Sequence, residues 1–360
     1  MIKRIILHAC KWTGIFHLSL LLTKRGLRIL CYHGFAGDDE ARFRPRLFIA
    51  PSTFEQRMKF LAAKGFRVLP LSKALELLDK KKLPVKSVVV TIDDGFAGVY
   101  KRALPILTRF GFPATTYVTT YNVLKGTPVF RLLIQYLFWK TKSEDVEVDG
   151  LNNTRATLPL RTESERDYAS DLVMEYGESQ LEEPARVSLA RQLAARLGLD
   201  YESIVQRRLL GLMTPDEIRS AVASGMDIQL HTHRHRLPMS SELVAREIKD
   251  NRDFLEPVVG RRLHHLCYPS GIWAREQWPW LASLGIESAT TCVPGLNDAY
   301  TPRHGLRRFL DGENVRPIEF EAELYGFTIL MREARNWLRR LFRNEEPRGV
   351  SGAATRLAPD

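Results

Sequence analysis

Along most of the chain, short apolar runs alternate with stretches whose apolar residues recur at helical spacing. Leu27-Arg28-Ile29-Leu30-Cys31-Tyr32-His33, closed by Gly34, predicts a first strand. Ser52 then caps a predicted helix, Thr53 to Lys64, with Phe54, Met58 and Leu61 on one face and Gly65 as its stop. Phe66 to Leu69 reads as a strand, Ser72 to Lys80 as a helix, and Ser87 to Ile92, around the apolar run Val88-Val89-Val90, as a buried strand. A helix over Val99 to Phe110 and a strand over Ala114 to Thr119 follow. The rhythm resumes later. Thr214-Pro215-Asp216-Glu217 signs a helix start with proline at its first position, and Gly225 ends that helix. A strand to Leu230, a helix over Ser241 to Leu255, a strand over Leu263 to Tyr268, a helix over Trp273 to Leu284 and strands over Ile286 to Thr291 and Leu306 to Leu310 complete the pattern. Strands alternating with helices predict an α/β fold with a parallel sheet, and such sheets carry their sites at the carboxyl ends of the strands.

The alternation stops between about Gly126 and Leu210. An aromatic-rich start, Phe130 to Trp139, leads into a polar, acidic stretch, Ser143 to Asp167, and then into helical patterns over Ser170 to Tyr176 and Pro184 to Leu197. The expectation is a helical insertion, either a lid that helps select substrate or added bulk. Both chain ends are amphipathic. Met1 to Leu22 predicts a helix that either packs on the domain or lies on a membrane; His8, Lys11 and His17 interrupt it, so it resembles neither a secretory signal nor a span of about 20 apolar residues. Near the other end Ala334, Trp337, Leu338, Leu341 and Phe342 form an apolar stripe among Arg332, Arg335, Arg339, Arg340 and Arg343, again a helix for a membrane surface or for packing. Beyond Asn344 the composition predicts disorder. The divisions are therefore 1–26, an N-terminal helix; 27–125 and 211–327, two parts of one barrel; 126–210, the insertion; and 328–360, a basic helix and tail.

Composition narrows the classes. With 44% hydrophobic and 26% charged residues, the 360-residue chain is an ordinary globular one. Its four cysteines, Cys10, Cys31, Cys267 and Cys292, include no C-x-x-C pair and imply no disulfide framework. The net charge of +11 is either a solvated basic surface or an attraction to anionic partners such as a membrane or an acidic glycan. No helix-turn-helix, zinc finger or aromatic RNA-binding motif accompanies it, so nucleic acid is not an expected partner.

Two stretches carry chemistry. Thr91-Ile92-Asp93-Asp94-Gly95-Phe96 places adjacent carboxylates at the end of a buried strand, where successive side chains face opposite ways. His231-Thr232-His233-Arg234-His235 follows another strand. One carboxylate and two imidazoles make a three-ligand divalent-metal site with open positions, and the second carboxylate stays free to take a proton from water. These two stretches resemble the T-F-D-D-G and H-[ST]-x-x-H motifs of the polysaccharide deacetylases, the NodB-homology or carbohydrate esterase 4 family. The resemblance extends to Tyr32-His33, to Pro113 through Val118 and to Tyr268-Pro269-Ser270-Gly271, and spans about Ile29 to Phe327 apart from the insertion.

The resemblance implies a distorted (β/α)7 barrel. It implies Asp94, His231 and His235 as metal ligands, Asp93 as general base and Thr232 as a hydroxyl that tunes the loop. His233 occupies a position where the family allows any residue, and is expected behind the ligands or at the surface. The family's late leucine-x-histidine acid has no match here, since His304-Gly305-Leu306 is out of pattern. Tyr32-His33 resembles instead the tyrosine-histidine pair of a branch acting on poly-N-acetylglucosamine, and makes His33 the general acid. The family's third motif, R-x-P-[YFW]-G, reads Cys267-Tyr268-Pro269-Ser270-Gly271. Its arginine and its last aromatic are missing, so Arg307 or Arg308 is expected to set the pKa of Asp93. Tyr268, Pro269, Gly271 and Trp273 are expected to shape a sugar-stacking wall.

The resulting expectation is a metal-dependent hydrolase that removes acetyl groups from N-acetylated sugars in a polysaccharide or in a lipid- or nucleotide-linked precursor. Zinc is the expected cofactor, with cobalt, nickel or manganese as substitutes, because a His-His-Asp set does not select among them. A deformylase or other amidase, and an inactive glycan- or membrane-binding protein, are the alternatives. Lacking a clear signal peptide, the chain is expected in the cytoplasm, at the inner membrane face if the terminal helices bind there.

Overall fold

The computed structural model describes residues 2–151 and 154–342. Eight parallel strands form the central sheet: β1 (Arg28–Tyr32), β2 (Arg67–Val68), β3 (Ser87–Ile92), β4 (Thr115–Val118), β5 (Asp227–Leu230), β6 (His265–Cys267), β7 (Ser288–Thr290) and β8 (Phe309–Leu310). They lie in the order β7-β6-β5-β4-β3-β1-β8, with β2 paired to the first half of β3. One segment joins the two ends of this order. Leu306 bridges Thr290 of β7, while Phe309 and Leu310 pair with Leu30 and Cys31 of β1. The sheet thus curls into the distorted (β/α)7 barrel.

Strands covered on both faces have no polar side, which is why β1 and β3 are buried at every position. Their two faces still differ. Leu30, Tyr32, Val88, Val90 and Ile92 belong to the main core shared with the outer helices. Leu27, Ile29, Val89, Tyr117, Cys267 and Leu306 form a second cluster, filling the barrel interior. Side chains alternate with a period of two, so the interior row of β3 runs Val89, Thr91, Asp93. Asp93 is therefore an interior residue, and Asp94 is the first to leave the row.

Several helices begin or end away from their expected places. The helix expected from Thr53 runs Pro51–Ala63; Pro51 takes its first position and Ser52 is not its cap. Ala50 precedes it, and its N–H donates to Glu313 Oε2 at 2.9 Å. The N-terminal helix is two helices, Ile2–Trp12 and Ile15–Leu22, bent by 78°. Gly14 between them has φ 79°, the left-handed conformation that only glycine adopts readily. The insertion is not purely helical. Its polar stretch forms an antiparallel hairpin, Asp145–Leu151 with Thr154–Pro159, flanked by helices Phe130–Lys140, Glu163–Gln180, Glu183–Arg196 and Tyr201–Arg207. Tyr136 and Lys140 bind the Asp39 carboxylate at 2.7 and 3.0 Å, tying the insertion to the loop after β1. The basic helix runs Phe327–Phe342; the disorder expected beyond Asn344 concerns residues outside those described.

The helix Pro215–Ala223 starts with a capping box. Thr214 Oγ1 accepts the Glu217 N–H at 3.2 Å, the Glu217 carboxylate accepts the Thr214 N–H at 2.9 Å, and Arg208 pairs with Glu217. Thr214→Ala is expected to lower stability by about 0.5–2 kcal/mol in urea unfolding, with the slope of the transition unchanged.

Candidate active site

The interior row delivers Asp93 against the last strand segment. Arg308 clasps it with two parallel bonds, Nη1 to Oδ1 and Nη2 to Oδ2, both 2.7 Å. Two thiols add weak donors to Oδ2, Cys267 at 3.2 Å and Cys31 at 3.5 Å. Burial opposes ionisation of Asp93, but the Arg308 guanidinium outweighs it and holds the carboxyl well below the usual carboxylate range. Arg308 is itself fully buried, and its Nε donates to the Thr291 carbonyl at 2.8 Å. Of the two arginines expected for this task, Arg307 is excluded. It lies one residue off on the extended chain, its side chain is exposed, and its backbone is bonded to Asn297. Arg308 thus approaches from β8 to the place that Cys267, on β6, leaves without an arginine.

Asp94 turns the other way. Its Oδ1 lies 3.1 Å from His231 Nε2 and 3.2 Å from His235 Nε2. The ligand atoms of all three residues lie within 4.8 Å of one another. Ligands held about 2.1 Å from one tetrahedral ion stand about 3.4 Å apart, so the spacing fits a divalent cation. Protonation geometry fits as well. His231 Nδ1 is 2.9 Å from the Cys267 carbonyl, which can only accept, so Nδ1 carries the proton and the Nε2 lone pair faces Asp94. The His231 side chain is 2% exposed, that of Asp94 13% and that of His235 40%, so the group opens to solvent on the His235 side.

The backbone around this group is strained. Asp94, Thr232 and His235 have φ of 68°, 61° and 52°, and for β-branched Thr232 that is a true outlier. Thr232 offsets part of the cost, because its Oγ1 accepts the Arg236 N–H at 3.1 Å and closes the loop. Gly95, at φ 81°, sits where a Cβ would come within 3.0 Å of Val118. His233 faces away from the three-residue group. It is buried, its Nδ1 is 2.7 Å from Thr120 Oγ1, and its carbonyl accepts from Tyr121 N and Thr119 Oγ1.

Two residues that hold this loop were not anticipated from the sequence. Asn251 Oδ1 accepts the His231 N–H at 3.0 Å, and its amide donates to the Val118 carbonyl at 3.1 Å. Glu247 binds the Arg234 backbone and guanidinium at 2.8 and 3.0 Å. Both sit on the buried stripe of helix Ser241–Val259 with Val244, Ile248 and Leu255. A polar residue inside an apolar stripe is the signal that marks them.

His33 stands at the end of β1 with Nε2 3.7 Å from Asp93 Oδ2. Its Nδ1 is buried without a hydrogen-bond partner among the described residues. Burial pushes its pKa down, against the pull of Asp93 and Asp94. Tyr32 points into the core, edge-on to Phe54, and donates its hydroxyl to Asp311 at 2.9 Å; Asp311 also takes Arg57 at 3.0 Å. Tyr32 therefore supports β1 from behind and offers no face to a substrate. The expected sugar-stacking wall changes in the same way. Tyr268 and Pro269 are buried, and the Tyr268 hydroxyl donates to the His304 carbonyl. Trp273, half-buried, stacks between Tyr268 and Trp278 at 6.0 and 5.5 Å. A Cβ on Gly271 would meet Cys292 at 2.8 Å, so glycine is needed for close approach there. Of the four residues, Tyr268 and Pro269 are closed to a sugar, while Gly271 and Trp273 are partly exposed. His304 Nε2 is engaged with the Ile286 carbonyl at 2.8 Å. All four cysteines are free thiols, as their spacing implied.

A parallel barrel with carboxylates and imidazoles gathered at strand ends is the arrangement that the NodB-homology resemblance implied. Its likeness to solved structures covers most of the chain. The Streptococcus pyogenes deacetylase PplD in complex with acetate aligns over 84% of this chain and 99% of its own, with TM-score 0.55 and 19% identity. IcaB from Ammonifex degensii aligns over 84% and 97%, with TM-score 0.52 and 19% identity. The polysaccharide deacetylase family model matches residues 80–150 and 189–289. The chain belongs to the polysaccharide deacetylase family. Among curated relatives, YxkH of Bacillus subtilis is 33% identical over 93 residues, 26% of this chain and 31% of that one. The poly-beta-1,6-N-acetyl-D-glucosamine N-deacetylase of Staphylococcus aureus is 33% identical over 75 residues, 21% of this chain and 26% of that one. The aligned segments thus span about a third or less of the length of these curated relatives.

Proposed function

We propose that the chain is a metal-dependent deacetylase that hydrolyses the acetamide of N-acetylated amino sugars in a glycan. The observation that carries this reading is the convergence of Asp94 Oδ1 with His231 Nε2 and His235 Nε2, beside a second carboxylate that is held ionised. Those three side chains would hold a divalent cation, zinc before cobalt, nickel or manganese. The bound ion supplies positive charge that polarises the amide carbonyl and acidifies water.

The chain's own residues supply the rest. Asp93 takes the proton of the attacking water at Oδ2, while Arg308 fixes both oxygens so that the accepting lone pair keeps one direction. The clasp also means that Asp93 is ionised throughout the neutral range and stands ready as a base. His33 Nε2, a few ångströms from Oδ2, receives a proton and delivers it to the departing amine nitrogen. Burial keeps His33 neutral until that proton arrives, which suits a group that shuttles rather than stores it. His231 keeps its ring direction through the Cys267 carbonyl, and Asn251 keeps its backbone in place. The amino-sugar substrate is supported by the activity that the name of the Staphylococcus aureus relative states.

Acetate release from N-acetylglucosamine oligomers tests the reading. The zinc-loaded chain should liberate acetate and not formate from the matching N-formyl substrate at a comparable rate, and chelation should stop the reaction until zinc is restored. Zinc-loaded protein that releases no acetate from any acetylated amino sugar contradicts it. In the same assay His33→Ala is expected to lower kcat by about 10²-fold or more with little change in zinc content.

A further inference from the structure

The N-terminal helices and the basic C-terminal helix pack on one another at the end of the barrel away from the site. Phe16 packs at a tilt against Tyr325 and Phe327, with ring centroids at 6.1 and 5.1 Å, and Lys3 and Lys11 pair with Glu319 and Glu321. Arg28, at the start of β1, bonds the Gly26 carbonyl at 2.7 Å and the Leu324 carbonyl at 2.6 Å. His33 and Asp93 lie past the other ends of β1 and β3.

What these helices show to solvent is unusual. Helix Ile15–Leu22 buries Phe16, Ser19 and Leu20, yet its outer side is apolar too. Leu18, Leu21 and Leu22 are 56%, 63% and 69% exposed, and Trp12 at the bend is 87% exposed. On the neighbouring helix Phe327–Phe342, Trp337 and Leu338 are exposed in turn. A soluble helix would place polar residues at these positions. Around them stand Arg4, Lys24, Arg25, Arg335 and Arg339, all exposed and none in an ion pair among the described residues. No single helix among the described residues is long and apolar enough to cross a membrane. Exposed leucines on the second helix, two exposed tryptophans, and neighbouring cations without an ion pair among the described residues together match an anionic lipid surface.

We infer that this face is a docking surface for an anionic phospholipid bilayer, on which the two bent helices and the basic helix lie without spanning it. In this arrangement the deacetylase site, past the opposite strand ends, points away from the lipid. A glycan chain reaches such a site from the aqueous side.

Co-sedimentation of the full chain with vesicles decides the matter. Vesicles of phosphatidylcholine with about a third phosphatidylglycerol should carry the protein down, and pure phosphatidylcholine vesicles should carry at least tenfold less at physiological salt. Arg25→Gln and Arg335→Gln should each weaken binding about fivefold, and Trp12→Ser with Leu21→Ser should abolish it. These positions are at the surface, so unchanged thermal unfolding and unchanged acetate release separate a lost surface from a lost fold. Absence of binding to anionic vesicles, or equal binding by the variants and the unaltered chain, overturns the inference. A lipid-free dimer in sedimentation velocity that Leu21→Ser dissolves also overturns it, because the face then belongs to a second copy.

Discussion

Replacing Asp93 by asparagine is expected to lower kcat by about 10²- to 10⁴-fold, the range for losing a general base, while bound zinc stays at the level of the unaltered chain. The two halves of this outcome come from the split between adjacent residues. Asp93 continues the interior row of β3 and meets Arg308, whereas Asp94 leaves the row with a left-handed backbone and meets the histidines. Asparagine keeps the size of Asp93 but can accept from only one arm of the Arg308 fork, and it cannot hold a proton on an anionic oxygen. Near-normal turnover by Asp93→Asn would show that the proton goes elsewhere, with His33 the next candidate. Loss of zinc in the same variant would show that the two carboxylates are not divided as described.

Arg308→Met is expected to be the most destabilising substitution in the site. Both partners of the Arg308–Asp93 pair are essentially buried, at 0% and 2% side-chain exposure. Removing one side leaves an uncompensated charge, which costs about 3–5 kcal/mol in comparable pairs. Lysine should rescue little, since one ammonium cannot make two parallel bonds. The pH dependence gives the sign. Asp93 has a folded pKa depressed below its unfolded value of about 3.9, so its contribution is present above that value and fades as pH falls toward the folded pKa. The metal-free chain should therefore lose stability as pH drops below about 4. In Arg308→Met only the imidazoles of His33 and His231 still oppose burial, the Asp93 carboxyl rises, and its contribution to acid sensitivity should shrink or reverse. Urea unfolding of both proteins between pH 3 and 7 measures this. A variant as stable as the unaltered chain, with the same acid limb, would contradict the account of the clasp.

Much of this site was legible because strand ends are easy to read. An apolar run that stops at two aspartates, and a second that stops at three histidines, fix both the elements and their polarity in a parallel sheet. The choice between Arg307 and Arg308 was not legible, because it depends on the register of an irregular segment that pairs with β7 through Leu306 and with β1 through Phe309. Once register is known, the period of two decides. The hairpin of the insertion had a signal, Val146 and Val148 alternating with Asp145, Glu147 and Asp149, and the strand shows that alternation in its burial; the acidic composition concealed it. Tyr32 and Tyr268 illustrate another limit. Both adjoin motif residues, yet side-chain direction turned them into the core, where Asp311 and the His304 carbonyl meet their hydroxyls. The bend at Gly14 separates two apolar patterns that read as one interrupted helix in the sequence.

The most direct measurement is an anomalous difference map at the zinc edge from crystals of the zinc-loaded chain. The account predicts one strong peak at about 2.0–2.2 Å from Asp94 Oδ1, His231 Nε2 and His235 Nε2, with Asp93 outside bonding distance and still clasped by Arg308. A peak bonded instead to Cys31 or Cys267 together with Asp93, or no peak at the two imidazoles, would contradict it.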